Sequence, residues 1–100
     1  MLNMKLINRG TEGELLMVGS LDNNSAQKAE KALVDMAERF DSMTLDMKDL
    51  EYVSSAGLRA LKRMHVTIRN KGGTLAVKNV NENIMEVFEI TGFTGMFKFL

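Results

Sequence analysis

The chain has 100 residues, enough for one hydrophobic core but not for two. Its 13 basic residues balance its 13 acidic ones, so no global field points to nucleic acid or to an anionic membrane. It contains no cysteine, which excludes disulfides and thiol chemistry. The N-terminus lacks the apolar core of a signal peptide, and no run approaches the roughly 18 apolar residues of a membrane span. We therefore expect a single domain over residues 1–100, soluble and cytoplasmic.

The first half of the chain predicts two strands and a helix. Residues 4–9 and 14–19 have strand patterns, and the glycine-containing stretch 10–13 between them indicates a hairpin. A polar loop over residues 21–25 supplies candidate helix caps. Apolar side chains then recur at helical spacing over residues 26–40, with charged side chains on the opposite side.

The second half predicts further strand–helix alternation. Residues 43–47 alternate as in a short strand, and the acidic stretch after them is interpreted as a solvated loop. A helix follows from Ser55 to the Lys71-Gly72-Gly73 stop. Residues 74–77 predict a strand and residues 81–90 a last helix. This alternation predicts an α/β fold with parallel strands joined by right-handed crossovers.

The C-terminal residues are rich in phenylalanine. Four of the five phenylalanines fall in the last 13 residues, which favours closure of the core. An apolar edge left exposed there would instead favour self-association as a weak homodimer.

The segment Ser54-Ser55-Ala56-Gly57-Leu58 is the most informative part of the sequence. Serine is a favoured N-cap because its oxygen accepts a hydrogen bond from the free amides of the first turn. These amides and the helix dipole also suit an anion. One cap needs one serine, so the second hydroxyl is spare. From spacing alone, plain capping and an acceptor for phosphate both stay open.

Catalytic interpretations of this segment do not fit. The nucleophile elbow of hydrolases needs glycine where Val53 stands. The only histidine, His65, lies ten residues after Ser55 on the same predicted helix, about 15 Å away at 1.5 Å per residue. His65 is therefore interpreted as a partly buried packing residue. No phosphate-cradle motif is present, and the acidic cluster resembles no established metal loop, so we predict neither cofactor nor metal.

The second predicted helix has a basic outer face. Residues 52–81 contain six basic residues and no acidic one. Arg59, Lys62 and Arg63 lie off the apolar stripe, so this face is either solvated or docks on an acidic patch of a partner. Direct nucleic-acid binding is disfavoured because the chain is neutral and Tyr52 is the only aromatic side chain nearby.

Three segments resemble the STAS family of bacterial anti-sigma factor antagonists. Residues 54–58 are similar to the family loop Asp-Ser-Ser/Thr-Gly-Leu or Ser-Ser-Ala-Gly-Leu, and residues 19–22 to its Gly-x-Leu-Asp. Thr91-Gly92-Phe93 with the following Met96-Phe97 resembles the Gly-Leu/Phe segment near the family's C-terminus. The resemblance covers nearly the whole chain. It implies the STAS fold, a small mixed β-sheet with helices packed mainly on one face.

The resemblance implies a regulatory binding module that is not an enzyme. The unphosphorylated form would bind an anti-sigma factor, a serine kinase of the histidine-kinase-like ATPase fold, and thereby free a sigma factor. Phosphorylation would end binding, and a metal-dependent serine phosphatase would reset the module. The alternative is a non-switching STAS subunit of a larger assembly, such as a lipid-transport complex or a stress-signalling scaffold.

The resemblance also implies site residues. The family's accepting serine, two residues before the glycine, corresponds to Ser55. Ser54 stands where the family often has aspartate and is the second candidate. Asp22 corresponds to an aspartate that supports kinase engagement, although it is equally suited to cap the first helix. The implied partner-binding residues are Asp22, Asn23, Ser54, Ser55, Ala56, Gly57, Leu58, Arg59, Lys62 and Arg63.

Overall fold

The computed structural model describes all 100 residues and consists of one five-stranded sheet with three helices. The strands are β1 (Leu2–Arg9), β2 (Glu12–Leu21), β3 (Ser42–Val53), β4 (Leu75–Lys78) and β5 (Lys98–Phe99). The helices are α1 (Asn23–Arg39), α2 (Ser55–Asn70) and α3 (Glu82–Thr91), followed by a 3-10 turn at Phe93–Gly95. The predicted α/β class is confirmed. No helix is both long enough and apolar enough to span a membrane.

The strands lie in the sheet in the same order as in the chain. β1 is antiparallel to β2 through the predicted hairpin, and all later neighbours are parallel. Because the strand order never reverses, crossovers of one hand bring the helices to the same face of the sheet. Burial follows this arrangement, since Leu45 is fully buried on the helix side while its neighbours Thr44 and Asp46 are only half-buried. The predicted mixed sheet with helices mainly on one face is confirmed.

The core lies between the sheet and the helices and forms one cluster of 23 buried residues. Aromatic packing closes it at the C-terminal end, as predicted. Phe88 is fully buried, and its ring centroid lies 5.4 Å from that of Phe97 and 6.1 Å from that of Phe93. Ile90 and Leu100 stay exposed nearby. Self-association through them remains a prediction.

The predicted acidic loop before Ser54 is wrong, because β3 runs on to Val53 and is twelve residues long. Two register shifts against β2 each insert an extra residue into β3. The buried positions therefore step from Met47 to Leu50 to Val53, three residues at a time. Bulges of this kind break the alternation by which a strand is recognised and increase its local twist.

The end of β2, the start of α1 and strand β5 also differ from prediction. β2 continues to Leu21 and α1 begins at Asn23, so the predicted polar loop over residues 21–25 is reduced to the single residue Asp22. The two-residue strand β5 was not predicted, because two residues show no periodicity. Its place in the sheet comes only from parallel pairing with Ala76 and Val77 of β4.

Candidate functional site

The residues of the predicted site lie where β2 and β3 end side by side. Leu21 pairs with Val53 in the parallel ladder, so the residues that follow each strand meet at the same edge of the sheet. The Ser54 amide donates to the Leu21 carbonyl oxygen at 2.8 Å. This pairing brings Asp22 and Asn23 at the start of α1 beside Ser54 and Ser55 at the start of α2.

The two serines have different environments. Ser54 is only 5% exposed, and its Oγ accepts a hydrogen bond from the Gly57 amide at 3.1 Å, which makes it the N-cap of α2. Ser55 is the first residue of the helix and is exposed. Its hydroxyl takes no part in the side-chain hydrogen bonds at this helix start. The capping and the spare hydroxyl that the sequence indicated therefore belong to Ser54 and Ser55 respectively.

Asp22 caps α1 through a reciprocal pair of hydrogen bonds with Ser25. The Asp22 Oδ1 accepts from the Ser25 amide at 3.0 Å, and the Ser25 Oγ accepts from the Asp22 amide at 3.0 Å. The Asn24 amide also donates to this carboxylate at 3.0 Å. The hydrogen bond from the Ser25 backbone is the main reason that the pKa of Asp22 lies below its ordinary value. A negatively charged carboxylate therefore lies at this edge of the sheet, with the N-terminal ammonium 3.9 Å from its Oδ2.

Besides Ser54, two of the predicted partner-binding residues are buried. Gly57 is buried, and Leu58 is only 8% exposed within the core cluster. Through these two residues the first turn of α2 packs against the core and the end of β2. Ala56 is half-buried and borders solvent on the α1 side. Of the Ser54–Leu58 segment, Ser55 and Ala56 are the residues that face outward.

Two open grooves run between α1 and α2. The first, the serine-side groove of about 190 Å³, lies at the start of the two helices and is lined by Asn23, Ala26, Gln27, Glu30, Ala56 and Arg59. The second, the basic groove of about 510 Å³, lies further along the helices and is lined by Val34, Arg59, Lys62, Arg63, Val66 and Thr67. The predicted basic residues of α2 thus form the rim of a groove with an apolar floor. Arg59 belongs to both grooves.

Sequence reasoning missed the contribution of α1 to these grooves. The sequence places the charged residues of α1 opposite its apolar stripe, and the structure shows that one of them, Glu30, lies 3.5 Å from the Arg63 guanidinium across the helix pair. Val34 lines the basic groove opposite Val66. No local pattern could show this, because the two helices meet only after β3 has paired in parallel with β2.

Sequence reasoning also missed the exposure of Tyr52 near the end of β3. Tyr52 pairs with Ser20 at the bulged end of β3, and 55% of its surface is exposed. It precedes Ser54 by two residues. Large exposed aromatic side chains are enriched among the residues that dominate protein–protein binding energy. The available signal was an aromatic residue next to the charged residue Glu51, two residues before the serine pair.

His65 and the acidic cluster play structural parts. His65 is half-buried with its ring centroid 6.0 Å from that of Phe97, and its Nδ1 is buried without a hydrogen-bond partner. This cluster consists of Asp46, which is half-buried, and of Asp49 and Glu51, which are exposed. Burial raises the pKa of Asp46, but hydrogen bonds from the Asn79 side chain and the Lys48 amide outweigh this and lower it. No group of three histidine, aspartate or glutamate side chains is arranged to hold a metal ion.

The chain is similar to proteins of known family. The family model for the STAS domain matches residues 7–100. The putative anti-sigma factor antagonist BtrV of Bordetella bronchiseptica is 34% identical over 99 residues, covering 94% of this chain and 84% of BtrV. The anti-sigma-B factor antagonist of Bacillus subtilis is 26% identical over 91 residues, covering 91% of this chain and 84% of that protein.

Solved structures show the same fold. The anti-sigma factor antagonist SpoIIAA in its unphosphorylated form superimposes with a TM-score of 0.84 at 12% identity, covering 98% of this chain and 88% of SpoIIAA. The phosphorylated form of SpoIIAA, a Bacillus cell fate determinant, superimposes with a TM-score of 0.75, covering 100% of this chain and 91% of that one. At this level of identity the likeness concerns the fold alone.

Proposed function

The chain belongs to the STAS domain family, and from this premise we propose that it is an anti-sigma factor antagonist switched by phosphorylation of Ser55. In the unphosphorylated state it binds an anti-sigma factor, a serine kinase of the histidine-kinase-like ATPase fold, and so frees a sigma factor in the cytoplasm. The kinase transfers phosphate from ATP to Ser55, and a metal-dependent serine phosphatase removes it. The protein itself acts as a regulatory binding module and not as an enzyme.

The observation that carries this proposal is the exposed, uncommitted hydroxyl of Ser55 at the start of α2. A kinase must reach the hydroxyl that it modifies. Ser54 offers a hydroxyl that is buried and already bonded to the Gly57 amide, so its modification would remove the cap of α2. Ser55 can be modified without breaking a hydrogen bond. These environments favour Ser55 over Ser54 as the acceptor.

Phosphate on Ser55 would change the surface more than the fold. It adds about −1.5 to −2 charges at neutral pH. The N-terminus of α2 tolerates that charge, since the helix dipole favours a nearby anion by about 0.3–1 kcal/mol. The Asp22 carboxylate lies at the same edge, so the phosphate would add negative charge to a surface that already carries a carboxylate. Charge repulsion at a protein interface costs several kcal/mol, and each 1.4 kcal/mol is a factor of about ten in affinity.

The surface available to the partner extends from Asp22 and Ser55 along the basic outer face of α2. Arg59, Lys62 and Arg63 are exposed and line the basic groove over an apolar floor. Such a surface is complementary to an acidic patch on the partner, where opposite charges speed association and select the correct partner.

Binding of the cognate anti-sigma factor to three purified variants tests the proposal. Ser55→Ala should bind as the unmodified protein does, and Ser55→Asp should bind at least tenfold more weakly. Thr94→Asp, an equal charge on an exposed residue of the 3-10 turn, serves as the control and should leave binding unchanged. Equal affinities of Ser55→Ala and Ser55→Asp would refute the switch and favour a STAS subunit that docks permanently in a larger assembly.

A further inference from the structure

We propose that Arg59 is the internal counter-ion of phosphorylated Ser55, so that phosphorylation withdraws Arg59 from the groove that receives the partner. The inference rests on the proposed function in one respect, the choice of Ser55 as the phosphorylated residue. It adds a second way in which one phosphate alters the surface, by pairing with a basic residue that the unphosphorylated protein leaves free for a partner.

The helix places the two side chains side by side. Ser55 and Arg59 are four residues apart on α2, and both are exposed. Side chains at this spacing are neighbours, with β-carbons about 5–6 Å apart. Every Cα–Cβ bond in a helix tilts toward the N-terminus, so the Arg59 side chain leans toward Ser55. Guanidinium groups bind phosphate through two parallel hydrogen bonds, which the length of the arginine side chain allows here.

Arg59 is also the unpaired cation of this surface that lies nearest to Ser55 along α2. The four ion pairs of the structure do not include it. Arg63, one turn further along, already lies 3.5 Å from Glu30. Lys62 is seven residues from Ser55, two helical turns away. A phosphate on Ser55 therefore meets Arg59 before any other basic side chain of α2.

Pairing with phosphate would alter both grooves, because Arg59 lines the serine-side groove and the basic groove alike. The rim of the basic groove has three cations, and one of them is already paired with Glu30. Loss of Arg59 would leave Lys62 as its one unpaired cation. An acidic side chain of a partner that contacts Arg59 would lose that contact in addition to facing the new charge at Ser55.

For the test, phosphoserine is installed at position 55 by genetic encoding. Its second pKa is then measured by ³¹P NMR titration, without kinase or partner. Pairing with a guanidinium favours the phosphate dianion. The pKa of the phosphoserine should therefore lie roughly 0.3 unit lower in the protein that keeps Arg59 than in the Arg59→Gln variant. Lys62→Gln removes an equal charge from the same helix face and should shift the pKa much less. Arg59→Lys keeps the charge but loses the planar fork, and should give an intermediate value.

Equal pKa values in the Arg59→Gln and Lys62→Gln variants would overturn the inference, because the effect would then be general charge and not a specific pair. Persistence of the full difference in 1 M salt, where the Debye length is about 3 Å, would support a direct hydrogen-bonded pair. The titration is independent of the partner. The titration can show no specific effect of Arg59 while Ser55→Asp still weakens binding of the anti-sigma factor. That result would retain the phosphorylation switch and reject the role of Arg59.

Discussion

Gly57 in the first turn of α2 lies directly against Leu21 at the end of β2. A β-carbon at position 57 would lie 2.7 Å from the carbonyl oxygen of Leu21 and 2.7 Å from the Cγ of the Leu21 side chain. The same carbonyl accepts the hydrogen bond from the Ser54 amide. Glycine at this position thus lets the helix start and the neighbouring strand end meet at van der Waals distance, and the exposed Ser55 is held beside Asp22 as a result.

We predict that Gly57→Ala lowers the free energy of unfolding by about 1–3 kcal/mol, as overpacking against a fixed backbone does. Helix propensity alone predicts the opposite sign, since alanine stabilises a helix interior by about 1 kcal/mol relative to glycine. Urea unfolding measures the difference. Gly95→Ala is the control, because nothing lies within 4 Å of a β-carbon there. A stabilising effect of Gly57→Ala would contradict the close approach.

The unequal roles of the two serines predict unequal effects on stability. Ser54→Ala removes the cap of α2 and should cost about 1 kcal/mol, with the Gly57 amide left without its partner. Ser55→Ala removes an exposed hydroxyl and should change the free energy of unfolding by less than about 0.5 kcal/mol. Thermal unfolding of both variants against the parent checks this. Equal losses in the two variants would show that the cap is misassigned.

His65 predicts a loss of stability in mild acid. Burial of its ring, with the positive charge of Arg69 as a smaller cause, lowers its pKa from the ordinary 6.5. The unfolded chain therefore binds the proton first. The contribution of the neutral His65 ring to the free energy of unfolding is fully present above pH 6.5. It is lost as the pH falls from there through the lower pKa of the folded state. The melting temperature should decrease between pH 7.5 and 5.

The control for this prediction is His65→Gln, which cannot titrate and should flatten that decrease. The carboxyl groups of Asp22 and Asp46 have pKa values lowered from 3.8, so stability due to them is lost only at more acidic pH. A slope between pH 7.5 and 5 that persists in His65→Gln would assign the effect to another group.

Tyr52 is predicted to contribute to partner binding. Truncation of an exposed aromatic side chain at an interface centre often costs more than 1 kcal/mol, so Tyr52→Ala should weaken binding of the anti-sigma factor by roughly tenfold. Because 55% of the Tyr52 surface is exposed, the fold should tolerate the change. Ile90→Ala, an exposed apolar residue in the last turn of α3, is the matched control. Equal binding by both variants would place Tyr52 outside the interface.

The elements could be predicted where their signals are local. The helical stripe of α2 and its glycine stop depend on contacts three or four residues apart, and both agree with the structure. Strand β3 was cut short because its bulges depend on pairing with β2. Strand β5 was missed because its only support is β4. Errors therefore occurred where a distant segment decides the local conformation.

By itself the sequence determined the order of β1 to β4 and the three helices, the family and the spare hydroxyl of the serine pair. These follow from side-chain periodicity and from capping within one helical turn. The tertiary structure alone decided that Asp22 lies beside Ser55, that Tyr52 faces outward and that Glu30 meets Arg63. Those relationships exist because β2 and β3 pair in parallel across α1, and contacts between segments 30 residues apart have no signature in local sequence.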